Sequence, residues 1–71
     1  MSARNSQQLG NSLLGFRKEA GFSQAQLGEK AGLKQPLVSA IELGAERTQL
    51  ATLFKLLSAL GLEIVIRKRS G

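Results

Sequence analysis

The sequence predicts a mostly α-helical domain, four to five short helices followed by a single C-terminal β-strand. Three observations predict it. Apolar residues recur at helical spacing through most of residues 7 to 60. Glycines close those stripes at Gly21, Gly32, Gly44 and Gly61. The run Leu62-Glu63-Ile64-Val65-Ile66-Arg67-Lys68 then switches to β-branched residues in partial alternation. A chain of 71 residues holds one small domain. Its expected divisions are a loose arm (1–6), a helical body (7–61), the strand (62–69) and a short tail (70–71).

The first helix is expected over residues 7 to 20. Leu9, Leu13, Phe16 and Ala20 form one apolar stripe, while Gly10 and Gly15 weaken it, so tertiary packing must hold it. Ser23 opens the second helix. Gln26 stands three residues on, the spacing of a capping box, and Phe22 and Leu27 are placed for a hydrophobic staple. Gly28 lies inside that helix, which implies close approach of another backbone. Lys34 to Leu43 form the third helix. Pro36 is tolerated in its first turn, and Val38 and Ile41 point inward. Thr48 is expected to cap the fourth helix, whose stripe is Leu50, Leu53, Phe54, Leu57 and Leu60.

No other segment has strand character. An unpaired apolar strand is a template for another chain, and the simplest partner is its own copy across a two-fold axis. Leu62, Ile64, Val65 and Ile66 are therefore the expected dimerisation residues. The alternative is a frayed helix or tail packed on the core.

Composition removes several function classes. The chain has no cysteine and no histidine, so it lacks thiolate metal sites and the commonest general base. Glycines and Lys30 lie within residues 21 to 30, but Glu29 breaks the spacing a phosphate loop needs. No acid–base pair or nucleophile motif is evident. Neither catalysis nor a cofactor is expected. No apolar run approaches membrane-spanning length, and the N-terminus has no apolar signal core; these features favour the cytoplasm.

Ten Lys and Arg against five Asp and Glu give a net charge of +5, which favours a polyanionic partner. The only aromatics are Phe16, Phe22 and Phe54, all expected in the core. Binders of single strands and RNA present stacking aromatics, so duplex DNA is the better polyanion.

The second and third helices, joined by a glycine turn, have the pattern of a helix-turn-helix. The N-terminal end of its second helix enters the major groove. Lys34 and Gln35 occupy that leading turn. Gln pairs bidentately with adenine, and Lys donates to guanine. Ser39 and Ala40 lie one turn on, Ala40 small enough to meet a thymine methyl. Ser23 and Gln24 begin the second helix, where free amides and the helix dipole suit a phosphate. Arg47, Thr48 and Gln49 stand at the corresponding start of the fourth. For each of these residues a solvated helix face is the alternative. Arg67, Lys68 and Arg69 would contact DNA, contact an acidic partner, or blunt the strand edge. Arg17 and Glu42 are placed to form a buried ion pair locking the first and third helices, a structural role.

Taken as a set, Arg17, Gly21-Phe22-Ser23-Gln24, Leu27, Gly32, Gln35, Val38, Ile41-Glu42 and Gly44 resemble the Xre (Cro/CI-type) helix-turn-helix repressors over residues 7 to 61. The fold implied is lambda-repressor-like. The resemblance implies a phosphate-contacting role for Gln24, base reading for Gln35 and a structural ion pair for Arg17 and Glu42. Lys34-Gln35-Pro36-Leu37-Val38-Ser39, Thr48-Gln49-Leu50-Ala51-Thr52-Leu53-Phe54-Lys55 and Leu60-Gly61-Leu62-Glu63-Ile64 are similar to HipB-type antitoxins. That likeness implies a homodimer joined by its strands on an inverted-repeat operator. It also implies a HipA-like serine/threonine kinase toxin as partner. Two positions depart from the family: Leu37 stands where a hydroxyl residue is usual, and Gly28 replaces the usual alanine, a change expected to be harmless. A plain repressor without a toxin, or a protein-contact adaptor on the same fold, are the alternatives.

Overall fold

A computed structural model of the chain describes residues 4–68. Four helices follow one another: α1 (Ser6–Glu19), α2 (Gln24–Ala31), α3 (Gln35–Glu42) and α4 (Leu50–Ala59). Their buried faces meet in one core of Leu13, Leu27, Val38, Ile41, Leu53, Leu56 and Leu57.

Helix α1 starts at Ser6 because Asn5 caps it. The Asn5 side chain accepts from the Gln8 amide at 2.8 Å, and the Gln8 carboxamide accepts from the Arg4 amide at 2.8 Å. Ser6, expected in the arm over 1–6, thus already belongs to the helix; residues 1–3 lie outside the described ones. The buried face of α1 is Gly10, Leu13 and Arg17, not the stripe through Phe16 and Ala20. The cause is Gly10. A Cβ there would lie 2.5 Å from the Ile41 carbonyl oxygen and 2.6 Å from that of Glu42. Only glycine lets α1 cross the end of α3 so closely, and the crossing turns Phe16 to the surface, 38% exposed.

The capping box of α2 forms in both directions: Ser23 Oγ accepts from the Gln26 amide, and Gln26 Oε1 accepts from the Ser23 amide. Phe22 packs against the core that holds Leu27. A Cβ on Gly28 would sit 2.6 Å from the Leu33 carbonyl oxygen. This is the close backbone approach expected at Gly28, and an alanine here would require the turn to move. Gly32 then reverses the chain at φ +74°, a conformation that side chains resist.

Lys34 is the N-cap of α3 rather than its first residue, and Leu43 its C-cap. Helix α4 begins at Leu50 with Gln49 as N-cap and no side-chain cap. Thr48 does not cap it, because its hydroxyl donates instead to the Ala45 carbonyl at 3.2 Å, closing the preceding turn. Leu53, Leu56 and Leu57 face the core. Leu50 and Phe54, expected inside, are 68% and 51% exposed, because α4 lies on α2 by its other edge.

Leu62 stays with its own chain. Its amide donates to the Leu57 carbonyl at 2.8 Å, and its side chain packs on the core. No strand is present among the described residues. Residues 62 to 68 take no regular structure, since no other strand among the described residues offers an edge to pair with. Ile64, Val65 and Ile66 are exposed. Arg69 and residues 70–71 lie outside the described ones.

Candidate nucleic-acid interface

Three residues, 32 to 34, separate α2 from α3, and the two helices pack directly on each other. Beneath them lies the ion pair. Arg17 Nε donates to Glu42 Oε2 at 2.6 Å and Nη2 to Oε1 at 3.2 Å. Arg17 Nη1 donates to the Phe22 carbonyl at 2.7 Å. Both charged side chains are buried, and no buried side-chain polar atom among the described residues lacks a partner. The guanidinium thus joins α1, the start of α2 and the end of α3 in one fork-shaped contact.

A carboxylate only accepts, and this decides how the next residue sits. Gln24 must turn its nitrogen toward Glu42, and Nε2 donates to Oε1 at 2.9 Å. Its carbonyl oxygen then points the other way and accepts from Gln35 Nε2 at 3.4 Å. Gln35 is exposed at the first position of α3. One of its N–H groups is engaged, leaving a second N–H and the carbonyl oxygen without a hydrogen bond among the described residues. Those are the two groups a glutamine needs to pair with the N7 and N6 edge of adenine.

The other candidate residues divide by what they touch. Ser23 holds the capping box and keeps a hydroxyl proton to donate. Lys34 is exposed, and Ser39 and Ala40 are half-buried on α3. Arg47 and Gln49 are exposed beside the first turn of α4, whose amides have no side-chain cap. Thr48 is committed to its turn. The Gln24–Glu42 and Gln24–Gln35 hydrogen bonds escaped the sequence reading. The signal for them was an acid at 42 already assigned to Arg17, with two glutamines opening consecutive helices. Among the described residues no helix is long and apolar enough to cross a membrane.

The helix-turn-helix family model matches residues 15–66, and the chain belongs to that family as an Xre-type domain. The chain is 36% identical to antitoxin HipB of Escherichia coli K12 over 59 residues, which are 83% of this chain and 67% of HipB. It is 47% identical to an uncharacterized HTH-type transcriptional regulator of Haemophilus influenzae over 49 residues, 69% of this chain. The chain spans only half the length of that regulator. Its fold matches HipB in a solved HipA–HipB–O2–O3 complex with a TM-score of 0.91 at 30% identity, covering 99% of each chain. A HipB–O4 20mer complex matches equally, at a TM-score of 0.91 and 30% identity over 99% of each chain.

Proposed function

We propose that this protein is a dimeric, sequence-specific repressor of double-stranded DNA, acting as the antitoxin of a HipA/HipB-like operon and neutralising a HipA-like kinase toxin. The observation that carries the DNA reading is the chain Glu42–Gln24–Gln35, which links the exposed glutamine amide on the leading turn of α3 to the buried ion pair. Lys34, Gln35, Ser39 and Ala40 then face base edges. Ser23 and Gln24 at the start of α2, and Arg47 and Gln49 at the start of α4, hold phosphates, with Thr48 offering its main-chain amide because its hydroxyl proton is already donated to Ala45. The uncapped amides of α4 support the second clamp. Within the segment 62–69, Ile64, Val65 and Ile66 form a strand on pairing with the same residues of a second copy, setting two recognition helices about 34 to 36 Å apart. Kinship with HipB, which is solved together with HipA, supports the toxin partner. DNA as a partner places the protein in the cytoplasm.

Titration against the promoter upstream of its own gene, at rising salt, tests this reading. A repressor prefers an inverted repeat, and its affinity falls steeply with salt. Equal affinity for scrambled duplex at every salt concentration would reject it. Exposed Leu37 and Leu43 on α3 favour a second reading, an adaptor that contacts protein, and that outcome would point to it. Co-purification with a kinase encoded next to it tests the toxin partner.

A further inference from the structure

The outward side of α3 is apolar. Val38, Ile41 and Glu42 are its buried residues. At 3.6 residues per turn the opposite side carries Pro36, Ala40 and Leu43, at i, i+4 and i+7. Leu37 flanks that stripe and is 39% exposed. Polar side chains, Gln35 and Ser39, run along one edge only. An outward helix face is ordinarily polar; Pro36 suits the first turn of a helix and Ala40 is half-buried, so the partly exposed Leu37 is the departure from that pattern.

Resting on the DNA-binding reading above, we infer that Pro36, Leu37 and Ala40 read the methyl groups of 5-methylpyrimidines, so that each half-site holds adjacent thymines beside the adenine facing Gln35. The thymine C5-methyl is the apolar feature that base pairs present in the major groove. Any other base edge set against Leu37 would lose water and gain no hydrogen bond, so the surface selects the methyl and rejects the alternatives together. The assignment stops at Ala40, because the N-terminal part of a recognition helix is what reaches base edges.

The test begins with duplexes selected by the full-length protein from a randomised pool. Selected half-sites carry two neighbouring thymines. At each thymine, four duplexes are then compared: thymine, uracil, 5-methylcytosine and cytosine, with the matching base opposite. Removing one methyl weakens binding about fourfold, from thymine to uracil and from 5-methylcytosine to cytosine alike. Leu37→Ala, checked by its melting temperature to be folded, loses that discrimination at one position and keeps it at the other. Sequence-specific binding with no difference between thymine and uracil would overturn the methyl reading and leave the repressor standing. Absence of any selected sequence would overturn both. Duplex binding indifferent to Leu37→Ala would return this face to a protein contact and overturn the inference.

Discussion

Glu42 accepts three side-chain hydrogen bonds, two from Arg17 and one from Gln24, so its removal acts at two distances. Glu42→Gln strands a buried guanidinium, and breaking a buried pair costs about 3–5 kcal/mol. Against a total stability on the order of 5–15 kcal/mol, thermal melting should show a largely destabilised protein. The double variant Arg17→Met with Glu42→Leu removes both charges and is expected to melt near the parent, within about 2 kcal/mol, because no charge is left unpaired. Its operator affinity should nevertheless fall roughly tenfold, since Gln24 loses the acceptor that orients it. Full affinity in that variant would show that Gln35 needs no support from below. Gln35→Ala removes the base-reading amide itself. It should weaken operator binding by about 1–3 kcal/mol without changing the salt slope, because no charge is lost. A reduced slope in that titration would contradict a neutral base contact.

At the level of elements, what the sequence disclosed follows from how local each signal is. The Ser23 capping box spans four residues, needs nothing beyond them, and formed in full. Ser23→Ala should cost about 1 kcal/mol, a fall of roughly 4–8 °C in melting temperature for a domain this size. Helix order and turns were legible for the same reason. Which edge of a stripe faces inward was not, because that depends on a distant neighbour. Leu50 and Phe54 belong to the apolar stripe of α4, yet α2 covers the adjacent edge and leaves them exposed. Gly10 is the sharpest case. In sequence it is a weak helix residue; in the fold it is where α1 crosses the α3 carbonyls. Gly10→Ala gains helix propensity of about 0.8–1 kcal/mol but drives a methyl into backbone, so a net loss of about 1–3 kcal/mol is expected in chemical denaturation. A stabilised variant would mean that α1 can slide off α3 at little cost. The candidate site was half legible: the sequence singled out Gln24 and Gln35 one at a time, but the hydrogen bond between them and the one that ties Gln24 to Glu42 appear only once α2 and α3 are packed together.

At the scale of the whole molecule, the exposed apolar segment at residues 64 to 66 bears on assembly. Ile64, Val65 and Ile66 are 45%, 69% and 91% exposed, an unpaired apolar segment of the kind that pairs with another chain. Leu62, by contrast, belongs to the core of its own protomer, so a cut meant to test pairing must fall after it. A chain ending at Leu62 keeps the Leu57–Leu62 hydrogen bond and all four helices, and its melting temperature at low concentration should match the monomer's. Sedimentation velocity at micromolar concentration should find the full chain dimeric and the shortened one monomeric. Operator affinity should fall by on the order of a hundredfold, because two half-site contacts no longer reinforce each other. Affinity for an isolated half-site should change far less, apart from the charge of Arg67, Lys68 and Arg69. Joining the shortened chain to an unrelated dimeric coiled coil through a flexible linker should restore much of the loss by effective concentration alone. A shortened chain that still sediments as a dimer would move the interface to the exposed Leu50 and Phe54 of α4, and the strand would then have no role in assembly.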